Sequence, residues 1–144
     1  MNAPPAPVTV AMLAFPESGA SVVYGMYDMF MSAGRDWGLV VNGQPGPQLM
    51  QPLLVAREAG TLHLGNGVPL TPHVTLADCP PAAIVCVPEV ALPPGTPLGE
   101  HFREEIAWLK QRYADGAILA TAWPELREVD WAEAAASWRR TLSV

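Results

Sequence analysis

The sequence predicts an α/β domain built on a mostly parallel sheet, and three observations carry that prediction. Residues 8–14 form a nearly unbroken apolar run, VTVAMLA, whose β-branched start suits a strand covered on both faces. The turn Phe15-Pro16-Glu17-Ser18-Gly19 follows, and then Val22, Met26, Met29, Phe30 and Ala33 recur at spacings of three and four. That is one apolar helix face, with Ser21 as its expected N-cap and Gly34 as its stop. Strand, short turn and helix make a βα unit, and short apolar segments at 53–56, 83–87 and 117–120 supply further strands for the same sheet.

The remaining elements follow in order. Residues 1–7 are Pro/Ala-rich and read as a mobile tail. Residues 61–64 and 68–70 flank Gly65-Asn66-Gly67, and an Asn-Gly pair accepts the positive φ angles of a tight hairpin. Pro69 lacks the donor a central strand needs, so this hairpin belongs at an edge or above the sheet. Phe102, Ile106, Leu109 and Tyr113 lie on one face of a further helix. Its acids Glu100, Glu104 and Glu105 come early, Lys110 and Arg112 come late, and Gly116 ends it, a polarity that complements the helix dipole. In the last segment, Asp130 with Glu133 resembles a capping box, and Trp131, Ala134, Ala135, Trp138 and Leu142 share a helical face. An amphipathic helix over 130–142 needs a surface to cover, and the strip beside 117–122 is the expected one.

Composition narrows the function. The chain of 144 residues is half apolar and only 15% charged, enough for one domain with a real core. A net charge of −6, with eight Lys plus Arg and no basic cluster, argues against direct nucleic-acid binding. Apolar runs are far shorter than the roughly 20 residues of a membrane span, and no secretory signal is visible, which makes a cytoplasmic protein the expectation. The two cysteines, Cys79 and Cys86, make no disulfide framework and match no metal-ligand spacing. Sixteen prolines fall mainly in the tail and in the connections 45–52, 80–88 and 93–97, where they stiffen loops.

The order of segments carries a resemblance. VTVAMLAFPE at 8–17, SVVYGMYDMF at 21–30, NGVPLTP at 66–72, LAD at 76–78, AIVCVP at 83–88 and GAILATA at 116–122 together resemble the ThiJ/PfpI-type, class I glutamine amidotransferase-like domain. The version they are most similar to forms the N-terminal half of AraC-type transcriptional regulators. The resemblance spans residues 8–122, about four fifths of the chain, and implies a flavodoxin-like, doubly wound sheet in three α/β/α layers, incomplete at its C-terminal end. In that family the strand at 117–122 runs into a sharp turn that carries a cysteine. Here Trp123 and Pro124 stand there, and residues 123–144 diverge from the family. The later strands, a His-bearing segment and a DNA-binding module have no counterpart, so a truncated or frame-shifted version of a longer ancestor is the expectation. The implied role is regulatory: small-molecule sensing or dimerisation, in a homo-oligomer.

Nucleophilic catalysis needs a thiol or hydroxyl at an exposed turn with a base in reach. Trp123 offers only an indole N–H donor, so a non-catalytic protein is expected. By the resemblance, Glu17 occupies the place of an acid that faces the cysteine, which leaves it as a turn acid or a ligand-pocket residue. Asp28, one turn after Tyr24, is a second candidate for a pocket or a partner subunit, and Trp123 a third. Cys86 falls in a predicted strand, where burial would make its thiol inert. His63, His73 and His101 lack metal-ligand spacing and read as surface or satisfied histidines, so neither metal nor cofactor is expected. The alternatives are a ThiJ/PfpI-type enzyme acting on amides, peptides or reactive carbonyls, and a pure interaction module using Trp131 and Trp138.

Overall fold

The computed structural model describes residues 6–93 and 95–121. In chain order the elements are β1 (Val8–Leu13), α1 (Ala20–Ser32), α2 (Arg35–Asn42), β2 (Met50–Ala56), β3 (Leu62–His63), β4 (Pro69–Leu70), β5 (Val74–Thr75), β6 (Ile84–Val87), α3 (Leu98–His101), α4 (Arg103–Ala114) and β7 (Ile118–Thr121). Among the described residues, five strands form one parallel sheet in the order β5-β2-β1-β6-β7. β1 is central, and the chain reverses its winding direction between β1 and β6, as in a doubly wound flavodoxin-like sheet. Strands β3 and β4 pair antiparallel, away from that sheet, where Pro69 meets no ladder it would break. Their turn holds Asn66 at φ 65° and Gly67 at φ 77°, the backbone that the Asn-Gly pair anticipates.

Side chains of β1 alternate between two cores. Val10, Met12 and Ala14 face α1 and pack with Val23, Leu54, Leu64, Leu70 and Cys86. Ala11, Leu13 and Phe15 face α4 and pack with Val55, Val85, Phe102 and Leu109. Because both faces of β1 are buried, its sequence is continuously apolar and not alternating. Each fully buried Val, Leu or Met contributes about 1.5–3 kcal/mol, which makes this strand the energetic centre of the domain.

Several expectations need correction. Strand β2 begins at Met50, three residues before the expected 53–56, and takes in Pro52. A proline fits there because Leu54 directs its N–H towards His73, on the β5 side, and Pro52 lies two residues earlier on the same side. Strand β5 pairs only with Val55 and Ala56, so no ladder bond is lost at Pro52. Ser21 does not cap α1; Gly19 precedes the helix without a side-chain cap, and Ser21 lies inside it. The inward face of α1 uses Val23, Met26, Tyr27 and Phe30, whereas Met29 is exposed.

The second half differs in similar ways. The helix expected around 100–113 is two, α3 and α4, parted at Phe102, whose φ of −109° is not helical. On α4 the buried positions are Glu105 and Leu109, and Tyr113 is exposed. No helix is foreseen at α2, which buries no residue and contains Gly38 and two β-branched valines. What holds it is backbone contact: a Cβ on Gly38 would meet the Gly46 nitrogen at 2.6 Å, so only glycine lets the following loop approach this closely. Ala122, Trp123 and the helix expected at 130–142, with Trp131 and Trp138, lie outside the described residues.

Candidate functional site

Parallel neighbours β1 and β2 deliver their carboxyl ends to one rim of the sheet, where doubly wound domains place ligands. Beyond β1, residues 15–18 close on themselves: Ser18 N–H donates to the Phe15 carbonyl at 2.9 Å, and Phe15 N–H donates to Ser18 Oγ at 3.3 Å. Two further bonds pin the turn from outside. Ala91 N–H reaches the Glu17 carbonyl at 2.8 Å, and Gly65 N–H reaches the Ser18 carbonyl at 2.9 Å. Ser18 is fully buried in consequence. The backbone under Glu17 is therefore fixed by its own turn, by the segment after β6 and by the β3–β4 hairpin.

The Glu17 side chain is 19% exposed, and its Oε1 lies 2.5 Å from His101 Nε2 at the end of α3. Its other oxygen, Oε2, is buried without a hydrogen-bond partner among the described residues. A carboxylate oxygen out of water without a donor is costly, which marks the position as one built to be completed. Beyond β2, Arg57 makes a two-pronged pair with Glu105 of α4, Nε to Oε1 at 3.0 Å and Nη2 to Oε2 at 2.6 Å. Nη2 also donates to the His101 carbonyl at 3.1 Å, tying α3 to the rim. Hydrogen bonding to Glu105 raises the pKa of Arg57 above that of an ordinary arginine. Residues 14–17, 56–62, 101, 102 and 105 enclose a cleft of about 380 Å³. Phe15 and Phe102, with ring centroids 5.0 Å apart, supply its apolar base.

A carboxylate bonded to an imidazole is the orienting half of a nucleophilic triad. Neither cysteine lines this cleft. Cys86 is buried in β6, and desolvation pushes its thiol up to about 11. Cys79 is also buried and raised by desolvation, against a smaller lowering by Arg112. Both are neutral thiols at pH 7 and poor nucleophiles. Among the described residues Thr61 is the lining hydroxyl, and it is hydrogen-bonded to Thr71 at 2.9 Å.

Of the residues singled out from sequence, Glu17 lies in the cleft. Asp28 does not join it; it lines a separate, open groove between α1 and α2 with Tyr27, Met31 and Arg35. Trp123 lies outside the described residues. His73 is a satisfied histidine, its Nδ1 accepting Leu54 N–H at 2.9 Å. His101, read as a surface or satisfied histidine, is half-exposed and hydrogen-bonded, and its partner is Glu17. Sequence reasoning misses Arg57 and takes Glu105 only as an early acid of its helix, although a signal exists. Glu105 falls three residues after Phe102 and four before Leu109, on the inward face of α4, and it is 5% exposed. Arg57 follows a parallel strand directly, as Glu17 nearly does. Among the described residues no three His, Cys, Asp or Glu side chains converge as metal ligands, and no helix is long and apolar enough to cross a membrane.

No protein-family model and no curated protein matches the chain. Solved structures do. A THiJ/PfpI family protein from Pseudomonas syringae superposes with a TM-score of 0.59 at 20% identity, over 81% of this chain and 42% of that one. A protein assigned as a transcriptional regulator from Vibrio parahaemolyticus gives 0.59 at 11% identity, over 81% of this chain and 56% of that one. The chain thus spans about half the length of the structures it matches. At this identity the likeness is one of architecture: the chain carries the α/β fold of ThiJ/PfpI family proteins.

Proposed function

We propose that this chain is a non-catalytic regulatory domain that binds a small molecule in the Glu17 cleft. One observation carries the proposal: a rigidly mounted carboxylate keeps one oxygen buried and unpartnered, in a cleft of ligand size that no thiol lines. The regulator from Vibrio parahaemolyticus, which shares the fold, supports a sensing role like that of the N-terminal half of an AraC-type protein. In this reading residues 8–122 are the partial ThiJ/PfpI-like domain, 1–7 a tail and 123–144 a divergent segment, and DNA contact belongs to another module. The protein works in the cytoplasm as a homo-oligomer. Exposed Trp37 and Val40, three residues apart on α2, favour self-association there.

The Glu17–His101 pair favours one rival, a ThiJ/PfpI-type hydrolase or glyoxalase. Two measurements separate the readings. Backbone amide spectra of the full chain, titrated with small molecules of both charges, should show saturable shifts at residues 14–18 and 57–62. Shifts confined to the Asp28 groove or to α2 would oppose the cleft. Turnover of amide, peptide or dicarbonyl substrates that Cys86→Ala abolishes would establish the enzyme and end the regulatory proposal.

A further inference from the structure

The cleft's charges select among ligands. Among the described residues its lining carries the carboxylates of Glu17, Glu58 and Glu105 against the guanidinium of Arg57 and the imidazole of His101. Glu104 adds a further acid 3.7 Å from Arg57. Among the described residues Arg57 is the one permanent cation in the lining, and most of its donors are committed: Nε and Nη2 face Glu105, and Nη2 also serves the His101 carbonyl, which leaves Nη1 for an incoming group. An incoming anion could pair with Arg57 through Nη1 alone, unless it displaced Glu105 from a charge-assisted, bidentate pair, and it would face Glu17, Glu58 and Glu105. A cation meets the opposite situation. Glu17 Oε2 is an acceptor without a donor, and His101 already occupies Oε1 from the other side.

We infer that the ligand of this cleft is a small organic cation bearing N–H groups, a primary amine or an amidinium, whose N–H donates to the Glu17 carboxylate. The inference rests on the ligand-binding reading of the same cleft. An N–H donor is required because the carboxylate has a single hydrogen-bond partner among the described residues, His101, and a positive charge without N–H groups adds none. The ligand's carbon body lies towards Phe15, Phe102, Ala59 and Leu62, the apolar part of the lining. A volume near 380 Å³ sits at the lower end of the roughly 300–1,000 Å³ typical of small-molecule sites, which limits the body to a short chain or a single ring.

The test uses the full chain and three probes at constant ionic strength, followed by backbone amide shifts: propylammonium, butyrate and tetramethylammonium. Propylammonium should give saturable shifts at residues 14–18 and 57–62, and Glu17→Gln should weaken it by about tenfold or more, the loss expected for a charge-assisted bond. Butyrate binding the cleft more tightly would overturn the cationic class while leaving the cleft a ligand site. Tetramethylammonium binding as well as propylammonium would overturn the N–H requirement. If none of the three shifts the cleft amides, both the inference and the ligand-binding function fail. Should Glu17→Gln not fold, the ranking of the probes on the unaltered chain still decides.

Discussion

Glu17 and Asp28 are both acids on concave surfaces, and their surroundings make them different chemical groups. Glu17 is clamped by a self-bonded turn, shares one oxygen with His101 and buries the other over a Phe15–Phe102 base. Asp28 lies on exposed helix surface, in a groove whose nearest cation, Arg35, bonds its own neighbour Asp36 at 2.6 Å with both side chains more than 40% exposed. Water screens the exposed charges of the groove, so they command little selectivity; Glu17 is mostly buried, so its charge is screened less. Confinement, more than the presence of an acid, makes one of them a site.

The largest effect should come from the base of the cleft. Phe102→Ala removes a buried ring that packs on Phe15 and should cost about 3–5 kcal/mol in urea unfolding. Met29→Ala in the groove should cost less than about 0.5 kcal/mol. Equal losses would erase the contrast. Next is the thiol that the cleft does not use. The folded state holds Cys86 neutral up to about 11, above its ordinary value of 9.0, so its contribution is fully present below pH 9 and is lost as pH rises towards 11. The loss should be about 2–3 kcal/mol, and Cys86→Ala should flatten the stability profile over that window. A profile unchanged by the substitution would mean that the thiol is not desolvated.

Smaller again is the ion pair that fixes the rim. Glu105→Ala leaves Arg57 without its bidentate partner, and because Arg57 is partly exposed the cost should be about 2 kcal/mol, below that of a fully buried pair. Asp36→Ala breaks the exposed pair in the groove and should leave the melting temperature unchanged. A greater loss for Asp36 than for Glu105 would invert the comparison.

The same contrast explains what the sequence conveys. Continuous apolar runs at β1 and β6 disclose strands covered on both faces, and Asn66-Gly67 discloses the hairpin, because hydrophobic pattern and turn chemistry are local properties. Glu17 is legible as a residue just past the first strand. Its partner is not: His101 lies 84 positions away and reaches Glu17 only because α3 and α4 cross over the sheet rim. Glu105 on a buried helix face is a legible anomaly, whereas its pairing with Arg57 depends on β2 lying beside β1. Helix α2 escapes notice because Gly38 and two β-branched valines lower its helix propensity, and the close approach of Gly46 to Gly38 leaves no mark in the local pattern.

The central claim, that confinement at Glu17 creates the ligand site, is tested most directly by thermal melting with and without propylammonium chloride, against potassium chloride at equal ionic strength. At about ten times the dissociation constant the linkage amounts to roughly 1.4 kcal/mol, a rise of about 3–6 °C. The account predicts that Asp28→Asn keeps this rise and that Glu17→Gln loses it. A rise that survives Glu17→Gln, or that disappears with Asp28→Asn, would contradict it.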